Sequence, residues 1–250
     1  MLDKITPIIL TFNEQANLHR TLAALGWATE VIVIDSFSTD TTLDICAQYD
    51  NVKVIQHVFS SHSEQSNFAL TQVLNTPWVL SMDADYIVTK ALKDELSTLD
   101  ETNNVNAYQI SFHYLIRGKR LKGSLYPART CLYQKESAHY IQDGHTQRVI
   151  IEGNIGKLNS VLLHDDRKPY SRWFNSQRSY AKKEAEKMAS TPWKELTLAD
   201  RVRYFGLAPF IVLPYTLLVK GLIVNGVSGI EYAVQRCIAE IFLLRARFFK

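Results

Sequence analysis

Trp78-Val79-Leu80-Ser81-Met82-Asp83-Ala84-Asp85 is the stretch that decides how this 250-residue chain is read. A short, mostly apolar run ends in two carboxylates flanking one small residue. Such a run reads as a buried strand. A strand interior does not tolerate two charges, so the chain leaves the sheet at Asp83. Hard divalent cations prefer carboxylate oxygens, so paired acids at a strand end are candidate ligands.

Working outward, the pattern recurs upstream. Ile5 to Thr11 is an apolar run followed by Phe12-Asn13-Glu14, and Asn17 to Leu25 has helical character. Glu30 to Asp35 contains Val-Ile-Val-Ile and stops at an acid. Ser36 to Ser38 is a polar turn, and Asp40 is placed to cap a helix running through Gln48. Val52 to Val58 reads as a third strand and Ser63 to Leu74 as a third helix. The strand–helix alternation predicts an α/β fold with a doubly wound, mostly parallel sheet. Ligands in such sheets bind beyond the carboxyl ends of the strands. Here three polar strand ends, at Thr11, Asp35 and Asp83, are expected along one edge.

The second half is less regular. Tyr108 to Leu115 and Thr130 to Tyr133 are expected strands around a basic loop holding Arg117, Lys119, Arg120 and Lys122. Asp143-Gly144-His145 is a turn signal, Val149 to Ile151 and Ser160 to His164 are expected strands, and Ser171 to Ala189 reads as a polar helix. From Phe205 to Val219 the chain is mostly apolar but holds Pro209 and Pro214, and Lys220 interrupts it. A spanning helix needs roughly 20 apolar residues, so the tail predicts an in-plane or re-entrant membrane association rather than a span, with a helical hairpin packed on the catalytic domain as the alternative.

Composition narrows the class. Apolar residues make up 46 % of the chain and the formal net charge is +3, which supports a large core and no disordered segment. Cys46, Cys131 and Cys237 are far apart and odd in number, so neither a disulfide framework nor a thiolate metal site is expected. No secretory signal pattern is read at the N-terminus, and a cytoplasmic protein is expected. No Gly-x-Gly-x-x-Gly follows the first strand, which sets aside a dinucleotide-dependent dehydrogenase. Basic residues are not interleaved with stacking aromatics, so nucleic acid is not an expected partner.

Thr11-Phe12-Asn13-Glu14, Val31 to Asp40 and Ser81-Met82-Asp83-Ala84-Asp85 stand in this order and together resemble glycosyltransferase family 2, which has the GT-A fold. Glu64 to Leu70, with Asn67-Phe68-Ala69-Leu70, resembles the members that build bacterial lipopolysaccharide core and related surface glycans. The likeness is strong over the first 90 or so residues and weaker to about residue 190. It implies a GT-A domain over 1–190, with a nucleotide-sugar half at 1–98 and an acceptor half at 99–190. Residues 191–250 would form a helical, membrane-associating extension.

By the same resemblance, Thr11, Phe12, Asn13, Glu14, Asp35 and Ser36 would line the pocket for the nucleobase and ribose of the donor, a UDP-sugar by family analogy. Asp83 would face the ribose or diphosphate. Asp85, with His164 completing the site, would hold Mn²⁺ or Mg²⁺. The reaction implied is inverting transfer to a glycan or lipid-linked acceptor, with Asp143 as general base. Arg167 and Lys168 would neutralise the leaving diphosphate. Two departures stand out. The His-Glu pair expected in lipopolysaccharide-core members falls on Thr146-Gln147, and Tyr86 stands where many relatives carry an acid. Pro169 replaces the Gln of the Gln-x-x-Arg-Trp motif of processive synthases, so a single transfer is expected. A nucleotidyltransferase and a non-catalytic sugar-nucleotide module are the competing readings.

Overall fold

The computed structural model describes residues 1–100, 103–143 and 146–248. The first half alternates as expected: β1 (Ile5–Thr11), α1 (Leu18–Ala23), β2 (Val31–Asp35), α2 (Thr42–Cys46), β3 (Val52–Gln56), α3 (His62–Gln72), β4 (Trp78–Asp83), β5 (Tyr86–Val88) and α4 (Lys90–Ser97). Then come β6 (Ala107–Ile116), β7 (Lys119–Arg120), β8 (Arg129–Gln134), β9 (Ala138–Asp143), β10 (Thr146–Ile151) and β11 (Ile155–His164). The chain closes on helices α5 (Tyr170–Ser190), α6 (Leu198–Tyr204), α7 (Ala208–Pro214) and α8 (Val227–Phe248).

The main sheet runs β3-β2-β1-β4-β8-β6-β11-β5, with β7 paired to β6. Its first four strands are parallel. The strands of the second half extend it with antiparallel pairings, such as β4 with β8 and β11 with β5. The parallel core follows from composition. Every residue of β2 is buried, as is nearly all of β1, because helices cover both faces. Successive side chains divide between the faces: Val31 and Val33 join one hydrophobic cluster with Ile5, Leu80 and Met82, while Ile32 and Ile34 join the other with Ile8 and Val79. Each such side chain contributes on the order of 1.5–3 kcal/mol by leaving water. Edge strand β3 is largely exposed. Pro7 precedes Ile8, the first β1 residue paired with β2, so the strand has one partner there and a missing N–H is tolerated.

The contacts group into two compact units. One comprises Met1–His113 with Tyr126–Arg167, and the other Tyr114–Leu125 with the chain from Lys168 on. This grouping by contact puts α5 with the tail, on the far side of a boundary that the functional division expected at residue 190 leaves in the catalytic domain. Within the second unit, Ala181, Met188 and Leu243 tie α5 to α8. Arg203 Nε and Nη2 donate to the Glu240 carboxylate at 2.8–3.1 Å, joining α6 to α8. No described helix is long and apolar enough to cross a membrane.

Candidate active site

Parallel register brings the motif residues together. Thr11 pairs with Asp35, and Leu10 with Asp83, so the carboxyl ends of β1, β2 and β4 lie side by side. Asp35 is fully buried, and its role there is plain from its bonds. Thr11 Oγ1 donates to its Oδ1 at 2.9 Å, Ser38 Oγ to the same oxygen at 2.5 Å, and Ser38 N to Oδ2 at 2.9 Å. Asp35 therefore ties the end of β1 to the turn after β2. Ser36 Oγ accepts from Gln65 Nε2 at 3.0 Å.

Asn13 takes a left-handed backbone (φ 56°), a conformation Asn tolerates better than most residues. From there its Oδ1 accepts from Thr39 N at 2.7 Å, and its own N donates to Ser38 Oγ at 2.8 Å. The Thr-Phe-Asn-Glu segment is thus clasped to the loop after β2. Glu14 is buried, and its Oε2 accepts from Asn17 Nδ2 at 3.1 Å. Phe12 and Phe37 stand half-exposed on these two loops. Asp40 serves the first turn of α2 from one residue before its Thr41 cap, accepting from Thr42 N at 3.0 Å.

The second acid of the pair meets the histidine. Asp85 Oδ2 and His164 Nε2 lie 3.2 Å apart, both largely buried. Strand pairing explains this, since His164 at the end of β11 is in register with Tyr86 of β5. The intervening Ala84 is fixed by Thr21 Oγ1 of α1, which donates to its carbonyl at 2.6 Å. Burial opposes a charge on His164, but the Asp85 carboxylate outweighs it and holds the imidazole above its ordinary value. Asp85 Oδ1 is buried with no hydrogen-bond partner among the described residues. A buried carboxylate oxygen left without a donor is costly unless a cation completes it. Asp85 and His164 therefore suit a divalent ion as two protein ligands. No group of three His, Cys, Asp or Glu among the described residues is placed to hold a metal ion by itself, so the remaining ligands would come from diphosphate or water.

Beyond His164, the chain is pinned to α1. Arg20 Nη2 donates to the Asp165 carbonyl at 2.8 Å, and Asn17 Nδ2 donates to Asp166 Oδ1 at 2.9 Å. Arg167 pairs with Asp165 at 2.8 Å.

Asp83 opens on a pocket of about 240 Å³ whose lining includes Tyr86, Arg129, Tyr140, Gln147 and Arg148. Although deep in the fold, its side chain keeps 46 % of its surface open to that space. Arg129 Nη1 approaches Asp83 Oδ2 at 3.4 Å and donates to the Tyr86 and Tyr126 hydroxyls at 3.0 and 3.1 Å. Burial opposes ionisation of Asp83, but Arg129 and the Tyr86 hydroxyl outweigh it and keep the carboxyl below its ordinary value. Burial pushes the Tyr126 phenol up to about 12, so it stays a hydroxyl.

Asp143 is the last residue of β9, and Gly144 and His145 of the expected turn lie outside the described residues. Its Oδ2 pairs with Arg148 Nη2 at 3.1 Å. Arg148 and Gln147 line the pocket, and Asp143 reaches it through its pair with Arg148. His57 is stacked on Phe68 and bonded to Gln65.

The model of the family "Glycosyl transferase family 2" matches residues 6–153. This chain belongs to glycosyltransferase family 2. An uncharacterized glycosyltransferase of Rickettsia typhi is 28 % identical over 229 residues, covering 85 % of this chain and 78 % of that protein. The lipopolysaccharide core biosynthesis glycosyltransferase LpsC of Rhizobium meliloti is 25 % identical over 173 residues, 64 % of this chain and 62 % of LpsC. Among solved structures, S. aureus TarS 1-349 in complex with UDP-GlcNAc superposes with a TM-score of 0.51 at 19 % identity, covering 97 % of this chain and 81 % of that one. The mannosyltransferase PcManGT of Pyrobaculum calidifontis, in complex with GDP-Man and Mn²⁺, gives 0.54 at 16 % identity, with 97 % and 85 % covered. The likeness confirms the expected GT-A fold.

For this family 2 enzyme, the sequence missed Arg129 and Tyr126. Neither sits in a motif, and each becomes visible only when β8 pairs antiparallel beside β4. The one sequence signal was Tyr86, the departure in the acidic motif, whose hydroxyl is what Arg129 and Tyr126 bind.

Proposed function

We propose that this glycosyltransferase moves a single sugar, with inversion, from a nucleoside-diphosphate donor to a glycan or lipid-linked acceptor at the inner face of a cell membrane. The reading is supported above all by Asp85, whose buried Oδ1 lacks a donor while its Oδ2 faces His164 beside Asp83. A pair of ligands with an incomplete sphere fits a divalent ion that is shared with a diphosphate. Mn²⁺ or Mg²⁺ bound there would stabilise negative charge on the departing nucleoside diphosphate. The chain itself supplies the frame. Phe12 and Phe37 flank the base, and Thr11, Asn13, Glu14, Asp35 and Ser36 hold the two loops that shape the base and ribose pocket. Arg129 keeps Asp83 ionised and oriented toward the sugar end. Asp143 is the general base, steered by its pair with Arg148. It takes the acceptor hydroxyl proton as that oxygen bonds to the anomeric carbon and the bond to the diphosphate breaks on the opposite face.

The competing nucleotidyltransferase and non-catalytic readings lose their ground to family membership. A role in lipopolysaccharide or related surface-glycan assembly draws on the similarity to LpsC. A UDP-sugar donor is favoured by family analogy, and GDP-sugars are the alternative raised by PcManGT. The test is calorimetric titration of the protein with UDP, GDP and CDP, each with and without Mn²⁺, repeated on Asp85→Asn. Metal-dependent binding of one nucleotide, lost in the variant while its melting point holds, is expected. Equal binding by the variant, or binding indifferent to metal, would overturn the assignment of Asp85.

A further inference from the structure

The second compact unit carries an apolar surface that none of its described residues covers. Phe210, Leu218, Val219, Val224 and Val227 are each 66–76 % exposed. They belong to α7, to the single π-helical turn Tyr215–Val219, and to the reversal that leads into α8. The packing shows that this exposure is built rather than accidental. Leu222 is fully buried with Ile116, Leu121 and Tyr232, while the next two residues, Ile223 and Val224, stand outside. Gly229 lets α8 close onto this anchor, since a Cβ there would lie 1.9 Å from the Leu222 carbonyl oxygen. The reversal is thus clamped from within, with its apolar side chains held out.

The same reversal is stitched to the basic hairpin around β7. Asn225 Oδ1 accepts from Lys122 N at 3.0 Å, and its Nδ2 donates to the Arg120 carbonyl at 3.2 Å. The Lys122 side chain runs along Gly221, so its ammonium lies beside the turn. Arg117, Lys119, Arg120 and Lys122 are all exposed, and the Arg117 charge is met by Glu231. No Asp or Glu occurs between Arg201 and Ile230. The result is an apolar ridge bordered by cations, assembled from segments about a hundred residues apart.

We propose that this ridge and hairpin form a monotopic docking surface for an anionic lipid bilayer. Leu218, Val219, Ile223 and Val224 enter the acyl boundary, and Lys119 and Lys122 meet lipid phosphates. Three observations select this occupant. The apolar side chains stand beside basic ones, the pattern of interfacial rather than spanning segments. No described helix can cross a bilayer. A second copy docking through the same patch would bring to it no acid from between Arg201 and Ile230 to pair with Lys119 and Lys122. The inference deepens the membrane location proposed above and is independent of the donor site, because vesicle binding and nucleotide binding fail separately.

The experiment is flotation of the full chain with vesicles of phosphatidylcholine alone and of a phosphatidylcholine–phosphatidylglycerol mixture, alongside sedimentation velocity without lipid. Wild type is expected to bind the mixed vesicles at least about tenfold better, an advantage that added salt erodes. Lys119→Glu with Lys122→Glu should remove most of that preference, each lysine accounting for about fivefold. Leu218→Glu with Val224→Glu should weaken binding to mixed vesicles by about a hundredfold or more. All four positions are exposed, and unchanged melting and nucleotide titration show that the fold persists. Failure of wild type to bind either vesicle, or equal binding to both, overturns the proposal. So does a lipid-free dimer that Leu218→Glu with Val224→Glu dissolves, because the ridge is then a contact between copies.

Discussion

Replacing Arg129 with methionine keeps an unbranched, flexible stem and removes the guanidinium and its charge. Arg129 Nη1 lies within 3.4 Å of Asp83 and donates to two tyrosine hydroxyls. A hydrogen bond to a charged group is worth about 1.5–3 kcal/mol when enclosed, and the 46 % exposure of Asp83 lowers that to about 1 kcal/mol because water replaces part of it. Tyr86 and Tyr126 keep each other at 2.5 Å, so losing the guanidinium costs the two hydroxyls about 1 kcal/mol more. The sum, about 2 kcal/mol, corresponds to a fall in melting temperature of about 4–8 °C for a chain of this size. The assay is thermal and urea unfolding of Arg129→Met, Asp83→Asn and the double variant. A coupling of about 1 kcal/mol between the two positions is expected. A coupling below about 0.3 kcal/mol would refute the claim that Arg129 holds Asp83 in place.

Asp143→Asn should lower turnover by about 10²–10⁴-fold with donor affinity unchanged, measured by single-turnover transfer against nucleotide titration; undiminished turnover moves the base elsewhere. Gly153→Ala should destabilise by about 2–4 kcal/mol in urea unfolding, because φ is +115° and the new Cβ would stand 2.0 Å from Asn106 Oδ1. An unchanged midpoint would show that Asn106 moves freely. Glu95 accepts from the backbone N–H groups of Asn159 and Ser160 at 2.9 and 2.7 Å, joining α4 to β11. Burial opposes its charge, but these bonds outweigh it and hold the carboxyl below the ordinary value of 4.5. A carboxyl lowered in the folded state stabilises above 4.5 and loses that contribution as pH falls through its folded value. Glu95→Gln should therefore cost about 1 kcal/mol near neutrality, shrinking toward nothing in acid. A cost that does not vary with pH refutes the charge-based account.

The sequence by itself determined the strand–helix order of the first hundred residues and the convergence of Thr11, Asp35 and Asp83. Parallel β1, β2 and β4 are buried on both faces, so each appears as an apolar run that must end where polar residues begin. The acid pair Asp83 and Asp85 was legible for the same reason. What each residue does at that edge was decided by tertiary structure. Asp35 and Asn13 look alike as polar groups at strand ends, yet the fold spends them on loop-to-loop hydrogen bonds. Arg129 and Tyr126 carry no local signal, since their meaning comes from an antiparallel strand that returns from the second half of the chain. The tail shows the same division. Its sequence marked it as too broken to span a bilayer, but its hydropathy is silent on which apolar side chains turn outward. That depends on Leu222 and Gly229 clamping the reversal and on Asn225 bringing a distant basic hairpin beside it. Local patterns record what each segment must bury, whereas the partners of a polar or cationic side chain are set by segments that meet only on folding.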